Sequence, residues 1–177
     1  MAAVDEVPAK VAPLRHATIG SVLGDLTVVA NDRAVVGLYF PGHWRRPGSA
    51  ALGPYEDVGF DLVRHQVNEY LAGERQAFQV PIATAGDERQ ERVWALVGQI
   101  PYGGTATYGD LARALGDGTT PQEVGSAVGS NPVCLLVPCH RVVGAGGKLT
   151  GYAGGLVRKQ SLLNLEAEVV RRAARLF

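Results

Sequence analysis

The sequence predicts a small α/β domain followed by a mainly helical domain. β-branched runs on either side of a turn at residues 31–33 indicate an antiparallel hairpin, and a helical hydrophobic pattern follows over residues 57–72. After residue 84 the character changes, because the later segments carry hydrophobic side chains at helical spacing. We therefore expect an N-terminal α/β domain at residues 14–84 and a C-terminal domain at residues 85–177.

The N-terminal part of the chain supplies the predicted sheet. Its first residues contain two prolines and no periodicity, so we expect a loose tail there. The strands are rich in Val, Ile and Leu, and a stretch rich in Gly, Pro and Arg separates them from the helix. In chain order, the expected elements are a tail at residues 1–13, strands at 19–30 and 34–40, a loop at 41–54, a helix at 57–72 and a strand at 78–82.

The C-terminal part predicts helices with defined start and stop residues. Thr107 is a plausible N-cap and Gly116 a stop signal, so a short helix is expected between them. A second short helix begins near Pro121. Two short helices around a Gly-containing turn are typical of a helix-turn-helix, although any pair of packed helices gives the same pattern. The expected helices cover residues 87–99, 108–115, 121–129 and 156–177.

Composition excludes several protein classes. The chain has 177 residues, 46% of them hydrophobic and 19% charged, which is typical of a globular protein. The longest apolar runs are about six residues, far below the roughly 18 that cross a bilayer, so no membrane span is expected. The acidic N-terminus lacks the features of a secretory signal, which favours a cytoplasmic protein. The 17 basic and 17 acidic side chains cancel, so net charge neither indicates nor excludes nucleic-acid binding.

The two cysteines, Cys134 and Cys139, carry the main chemical signal. Pro138 stiffens the short segment between them, which argues against a disulfide. His140 and Arg141 follow Cys139 directly and supply a cationic context that favours a reactive thiolate. Two other interpretations stay open at this point. Cys139 could be an inert buried thiol, or a zinc ligand, although the remaining histidines show no ligand spacing.

A larger set of spaced residues resembles the O6-alkylguanine-DNA alkyltransferases. The central run is Pro138-Cys139-His140-Arg141-Val142, which Asn131-Pro132 precedes, and the resemblance covers residues 16–168. So many residues at matching spacing make the resemblance specific. The other matching residues are 66–75 in the N-terminal domain, Ile100-Pro101-Tyr102-Gly103, Thr105, Thr107-Tyr108-Gly109, Leu111-Ala112, Gly147, Gly151-Tyr152-Ala153-Gly154-Gly155, Lys159, Leu162-Leu163 and Glu166.

The resemblance implies a fold and a reaction. The N-terminal domain would be ribonuclease H-like, and the C-terminal domain would be of winged helix-turn-helix type. The family transfers an alkyl group irreversibly from O6 of guanine in DNA, with O4 of thymine as a further source, to a cysteine, here Cys139. Each molecule would react once. The expected partner is double-stranded DNA that contains O6-alkylguanine, and the protein is expected to be a monomer without cofactor or metal.

The resemblance also implies roles for individual residues. His140 would act as a base through a water molecule, and Glu166 would orient its ring. Tyr108 would donate a proton to the leaving guanine, and Asn131 would brace the turn before Cys139. The residues expected to contact the base or the DNA are Thr107, Gln122, Gly125, Ala127, Arg141, Val142, Tyr152, Ala153 and Gly154.

Gln122 departs from the family pattern. The family usually has an arginine at this position, nine residues before Asn131, and that arginine takes the place of a base that has been flipped out of the stack. Glutamine is shorter and uncharged, so we expect weaker base flipping. Two other functions stay open: a related lesion-binding protein without transfer, although such proteins replace the cysteine, and a cysteine hydrolase that uses Cys139 and His140.

Overall fold

An antiparallel sheet and one helix come first in the chain, and a helical region follows. The computed structural model describes residues 12–175, so residues 1–11 of the expected tail and residues 176–177 of the expected last helix lie outside the described part. The order of an α/β domain followed by a helical domain confirms the predicted fold class. No helix within residues 12–175 is both long and apolar enough to cross a membrane.

The N-terminal sheet has three antiparallel strands in chain order, and its second turn lies where the sequence predicts it. Asn31 Oδ1 accepts hydrogen bonds from the amides of Arg33 and Ala34, both at 2.9 Å. This side-chain acceptor fixes the turn between the second and third strands. The strands are β1 (Arg15–Ile19), β2 (Leu26–Ala30) and β3 (Val35–Tyr39).

The single strand expected at residues 19–30 is wrong: the stretch holds the last residue of β1, a turn and all of β2, and most of β1 lies before it. A turn occupies residues 20–25, where Ser21 Oγ accepts from the amide of Leu23 at 3.1 Å and donates to the carbonyl of Gly24 at 2.6 Å. Gly24 adopts a φ of 101°, a conformation that L side chains rarely adopt. The hydrophobic pattern continues across this turn, so periodicity alone did not reveal the break.

Two further N-terminal predictions are wrong in extent. Helix α1 spans Asp61–Leu71 and begins later than the expected residue 57, because residues 57–60 form a turn. The strand expected at residues 78–82 reduces to a single bridge at its last residue. The amide of Gln79 donates to a buried glutamine side chain of α1 at 2.7 Å instead of to a neighbouring strand.

The helical domain begins with three helices whose starts are capped in the same way. In each, the N-cap side chain accepts from the third helical amide, and the third side chain accepts from the N-cap amide. The second and third of these helices have the predicted bounds. The helices are α2 (Glu88–Gly98, N-cap Asp87), α3 (Tyr108–Leu115, N-cap Thr107), α4 (Pro121–Gly129, N-cap Thr120) and, after a loop, α5 (Leu156–Ala174).

The two domains meet along the segment that leads to Cys139. The amide of Leu38 in β3 donates to the carbonyl of Pro132 at 2.8 Å, and the amide of Cys134 donates to the carbonyl of Leu38 at 3.1 Å. The segment at residues 132–134 of the helical domain thus pairs alongside β3, the edge strand of the N-terminal sheet. On the other side of Cys139, strand β5 (Val142–Val143) pairs in parallel with β4 (Ala106–Thr107).

Candidate active site

Cys139 begins a short 3-10 turn, Cys139–Arg141, at the end of a tightly folded segment. Asn131 lies inside that segment and is 1% exposed. Its Nδ2 donates to the carbonyl of Val137 at 3.0 Å, and its Oδ1 accepts from the amide of Val133 at 3.0 Å. These two bonds close the loop on itself and fix the path of the chain into Cys139. The geometry therefore supports a bracing role for Asn131.

The two cysteines are buried, free and in contact, yet their thiols differ. A hydrogen bond from Cys134 lowers the pKa of Cys139, with further help from Asn131 and from the charge of Lys159, although burial opposes the shift. The same contact, together with burial, raises the pKa of Cys134 well above its usual value. Cys139 is therefore the thiol prepared to lose its proton. No group of three or more possible metal ligands occurs among the described residues.

Lys159 of α5 supplies the positive charge near Cys139. Its side chain is fully buried, and its Nζ donates to the carbonyls of Thr150 and Gly151 at 2.9 and 3.1 Å. Burial lowers the pKa of Lys159 to about 8, although the nearby Cys139 opposes that shift. The sequence reasoning gave Lys159 no role. Its spacing could have shown one, because Lys159, Leu162 and Glu166 share the buried face of α5.

Glu166 lies at the centre of a buried polar cluster behind Cys139. Its Oε1 accepts from His140 Nε2 at 2.7 Å, and its Oε2 accepts from the amide of Gly103 at 2.8 Å and from Arg141 Nε at 3.0 Å. Burial alone would raise the pKa of Glu166, but the hydrogen bonds from His140 and Arg141 lower it to about 2. Glu166 is therefore a carboxylate that holds the His140 ring through a hydrogen bond.

His140 is buried and neutral. Burial, with the nearby positive charges of Arg141 and Lys159, lowers the pKa of His140, and Glu166 only partly offsets this effect. Because Nε2 faces the Glu166 carboxylate, the hydrogen-bond network assigns the proton to Nε2 and leaves the lone pair on Nδ1. His140 Nδ1 finds no hydrogen-bond partner within residues 12–175. The ring can therefore accept a proton at Nδ1.

The side chain of Arg141 does not face the thiol or the surface. All of its nitrogens bond inside the protein: Nη1 donates to the carbonyl of Ile100 at 2.7 Å, and Nε and Nη2 donate to Glu166. The expectation that Arg141 contacts a base or DNA is therefore wrong for its side chain. The expectation that Arg141 and His140 provide the positive charge at Cys139 is also wrong, because Lys159 provides it.

Tyr108, the first residue of α3, borders a cavity of about 120 Å³. Its hydroxyl donates to the carbonyl of Thr150 at 3.2 Å. Burial raises the pKa of Tyr108, and the nearby Cys139 adds to this effect although the Thr150 bond opposes it, so the hydroxyl keeps its proton. The cavity is lined by Trp44, Tyr108, Gly125, Val128, Gly129, Gly151, Tyr152 and Ala153. Sequence reasoning missed Trp44, which comes from the loop after β3.

Helix α4 presents one face to this cavity and buries the other. Gln122 is exposed and lies with Gly125 and Tyr108 along a groove that continues from the cavity. Ala127 lies on the opposite face, 3% exposed, and its carbonyl accepts from Trp94 Nε1 at 2.8 Å. Ala127 is therefore a core residue, and the expectation that it contacts DNA is wrong. Its one-residue step from the exposed Ser126 turns its side chain inward.

Of the other residues expected to contact the base, some line the cavity and some do not. Tyr152 and Ala153 form part of its wall. Gly154 is buried beside them, and a Cβ there would lie 2.8 Å from the Phe40 ring, so only glycine fits without a shift. Val142 is fully buried in β5.

Thr107 has a structural task that the expectation of a DNA contact did not include. It caps α3: its Oγ1 donates to Asp110 Oδ2 at 2.7 Å and accepts from the amide of Asp110 at 3.0 Å. It also belongs to β4, which pairs with the strand after Cys139. Both contacts position the start of α3 and therefore the Tyr108 side chain.

Comparison with known proteins decides the family. Residues 14–84 match the model described as 6-O-methylguanine DNA methyltransferase, ribonuclease-like domain, and residues 88–168 match the model of the DNA binding domain of the same methyltransferase. The methylated-DNA–protein-cysteine methyltransferase of Mycobacterium tuberculosis is 40% identical over 161 residues, which cover 86% of this chain and 92% of that protein. The chain belongs to the 6-O-methylguanine DNA methyltransferase family.

Solved structures and a further relative agree with this membership. The crystal structure of Mycobacterium tuberculosis OGT in complex with DNA matches with a TM-score of 0.82 and 38% identity, over 88% of this chain and 94% of that one. The inducible methylated-DNA–protein-cysteine methyltransferase of Bacillus subtilis is 38% identical over 84% of this chain and 82% of its own length. The resemblance inferred from the motif around Cys139 is confirmed.

Membership in the methyltransferase family leaves one contact of this site without an assigned role. Tyr70 of α1 is fully buried, and its hydroxyl lies 3.1 Å from His140 Nε2 and donates to Glu166 Oε1. Tyr70 belongs to the stretch 66–75 that resembles the N-terminal domain of the family, but that stretch carried no sign of a link to His140. Only the folded chain brings residues so far apart in sequence together.

Proposed function

We propose that this protein repairs alkylated double-stranded DNA by transferring the alkyl group from O6 of guanine to Sγ of Cys139. Family membership makes it a methylated-DNA–protein-cysteine methyltransferase. The observation that carries the choice of residue is position: Cys139 begins the turn that carries His140, whose ring is held by Glu166, whereas the amide of Cys134 bonds to β3 of the N-terminal sheet. The lowered pKa of Cys139 agrees with this choice. A thiolate is the nucleophile that displacement at an alkyl carbon requires.

In the proposed transfer, the thiol proton of Cys139 passes through a water molecule to Nδ1 of His140. Glu166 stabilises the imidazolium that forms, since its Oε1 lies 2.7 Å from His140 Nε2. The sulfur then attacks the alkyl carbon, a C–S bond forms, and the bond from carbon to O6 breaks. Its electron pair goes to the guanine. The net exchange is a thiol proton for an alkyl group.

Tyr108 is proposed to supply the proton that the leaving guanine takes. Guanine leaves as an anion, and proton donation by a positioned acid lowers the free energy of its departure. The raised pKa of Tyr108 keeps the hydroxyl protonated up to the moment of transfer. Its position on the wall of the cavity supports contact with a base that occupies that cavity. The resulting tyrosinate is reprotonated from the proton held by His140 or from water.

The cavity supports a mechanism in which the damaged base leaves the duplex. A base in the stack cannot bring its O6 atom to a thiol that is 4% exposed, so it has to be flipped out. We propose that α4 lies against the minor groove with its exposed face, and that Gln122 fills the gap left by the base. Gly125 on the same face permits close approach because it has no side chain.

The reaction is proposed to occur once per molecule. The thioether on Cys139 has no exchangeable proton and is a poor leaving group, so no group of this site returns the sulfur to a thiolate. Transfer from O4 of thymine, action as a monomer and a cytoplasmic location belong to the same proposal.

The experiment is a titration followed by intact-mass measurement. Protein is incubated with increasing amounts of a duplex that contains one O6-methylguanine, and the mass and the remaining lesion are both measured. The expected result is a single methyl increment, and a plateau at one lesion repaired per protein molecule. Binding of the duplex without any change of mass would favour the lesion-binding function. Repeated turnover, or cleavage of an ester substrate, would favour a hydrolase.

A further inference from the structure

One tyrosine of the N-terminal domain reaches into the polar cluster of the helical domain. Tyr70 is 0% exposed, and its hydroxyl donates to Glu166 Oε1 and lies 3.1 Å from His140 Nε2. Two neighbouring rings fix its direction, because the ring centroids of Phe78 and Tyr102 lie 5.1 and 5.8 Å from that of Tyr70. A buried hydroxyl requires a hydrogen-bond partner, and here the partner is the carboxylate that orients His140.

The direction of this hydrogen bond determines what His140 can do. The carboxylate of Glu166 has no proton to give, so Tyr70 uses its only proton on Glu166. The oxygen of Tyr70 can then only accept from His140 Nε2, as Glu166 also does. Both neighbours of Nε2 therefore require a proton on that nitrogen, and Nδ1 keeps its lone pair.

We propose that Tyr70 is a positioning residue for alkyl transfer, and that the N-terminal domain thereby completes the active site. The inference rests on the proposed function, in which His140 Nδ1 accepts the thiol proton of Cys139. Tyr70 fixes the tautomer of His140 from a second side. By donating to Glu166, it also withdraws negative charge from the carboxylate that His140 faces.

Several other charged and titratable groups surround His140, and Tyr70→Phe removes none of their side chains. Tyr102 is near them, since its ring packs against Tyr70 and the Arg141 guanidinium lies 5.5 Å from its centroid. The groups that act on His140 are Glu166 and Lys159 from α5, Arg141 from its own turn, and Tyr70 from α1.

The change Tyr70→Phe removes one donor from Glu166 and leaves its negative charge to act more fully on His140. The pKa of His140 then rises, so the ring becomes protonated at a higher pH and can no longer accept the thiol proton there. We expect the acidic limb of the pH–rate profile to move to higher pH by about half a unit to one unit. A loss of packing alone would lower the rate equally at every pH.

Tyr102→Phe is the matched control. It deletes a second buried hydroxyl in the same aromatic cluster, but this hydroxyl has no hydrogen-bond partner among the described residues. Single-turnover rates on an O6-methylguanine duplex are measured for the unaltered protein and both variants from about pH 5 to about pH 9, a range that spans the titration of a histidine. Thermal unfolding of the three proteins reports any change of stability.

The expected result is a shifted acidic limb for Tyr70→Phe and an unshifted one for Tyr102→Phe. Equal profiles for the three proteins, or a pH-independent loss in Tyr70→Phe, would overturn the role of Tyr70 while transfer by the unaltered protein still supports the proposed function. Absence of transfer by the unaltered protein overturns both. Long-range 15N NMR of the unaltered protein adds a test without a variant: we expect His140 protonated at Nε2, and protonation at Nδ1 contradicts the proposal.

Discussion

Cys134 and Cys139 lie five residues apart and are both buried, but only one is prepared for chemistry. Cys134 extends the edge of the N-terminal sheet through its amide, which donates to the carbonyl of Leu38 at 3.1 Å. Cys139 begins the turn that follows Pro138. Cys134 is thus part of the contact between the two domains, and Cys139 lies at the end of the segment that this contact holds.

The difference teaches that burial does not decide thiol reactivity. Burial by itself acts to raise the pKa of both cysteines. The net pKa of Cys139 is nevertheless lowered, because Cys134, Asn131 and Lys159 all favour its charged form. Cys134 gives its hydrogen bond to Cys139, so it stabilises the charge on its neighbour rather than its own. An inert thiol can therefore be part of the environment that makes another thiol reactive.

Exchanging the thiols one at a time has the largest expected effect. Cys139→Ser should lower transfer by at least about 1000-fold, since a hydroxyl in this site stays protonated. Cys134→Ser keeps a donor toward Cys139 and should retain transfer within about tenfold. Rates are measured in single turnover on an O6-methylguanine duplex, and duplex binding by Cys139→Ser checks its folding. Rapid transfer by Cys139→Ser would remove the contrast between the two sites.

Loss of the Tyr108 hydroxyl tests whether this residue donates the proton to the leaving guanine. Tyr108→Phe should slow transfer by roughly 10- to 1000-fold, the range for a positioned proton donor, with little change of duplex affinity. Tyr55→Phe is the control, because Tyr55 is 58% exposed and packs against His16. Equal rates for Tyr108→Phe and the unaltered protein at saturating duplex would reduce Tyr108 to a packing residue.

Lys159 tests whether its charge sets the difference between the thiols. A nearby cation favours the thiolate, so Lys159→Met should raise the pKa of Cys139 and lower its alkylation by iodoacetamide near pH 7 by about threefold to tenfold. Because the pKa of Lys159 is about 8, its help fades as the pH rises through that value, and the two proteins should converge at high pH. The exposed Lys148 gives the control Lys148→Met.

A rate loss in Lys159→Met that is the same at every pH would contradict this role of the charge. It would mean that Lys159 acts only by supporting the carbonyls of Thr150 and Gly151.

A change at Gln122 tests base flipping without altering the environment of either thiol, and its expected effect on the transfer rate is the smallest. Arginine is longer and charged, so Gln122→Arg should fill the gap in the duplex better and speed transfer from duplex DNA by about 2- to 10-fold. Free O6-benzylguanine needs no flipping and should react at an unchanged rate. Gln160→Arg adds the same charge on the exposed face of α5 as a control. No duplex-specific gain would mean that another residue fills the gap.

Local signals in the sequence were enough for the parts of the fold that depend on them. Thr107 and Pro121 mark the starts of α3 and α4, because N-caps and first-turn prolines act within a few residues. The turn at residues 20–25 has local signals, Ser21 and Gly24, but the hydrophobic pattern that continues across it hid them. The missing strand at 78–82 was not predictable, since it depends on the distant Gln66 side chain.

The candidate site was predictable where the chain itself places residues side by side. Cys139 and His140 are adjacent, and the resemblance supplied Glu166. The direction of the Arg141 side chain was not predictable, because its partners Ile100 and Glu166 come from distant segments. The same holds for Lys159, whose burial under the loop at residues 150–151 only the folded chain creates.

The most direct test of the central claim is to locate the transferred methyl group in the unaltered protein. After reaction with a duplex that carries isotopically labelled O6-methylguanine, trypsin cleaves after Arg113 and Arg141 and releases one peptide that contains both cysteines. Tandem mass spectrometry of that peptide separates them. We expect the label on Cys139 alone, at one methyl per molecule, and label on Cys134 would contradict the account.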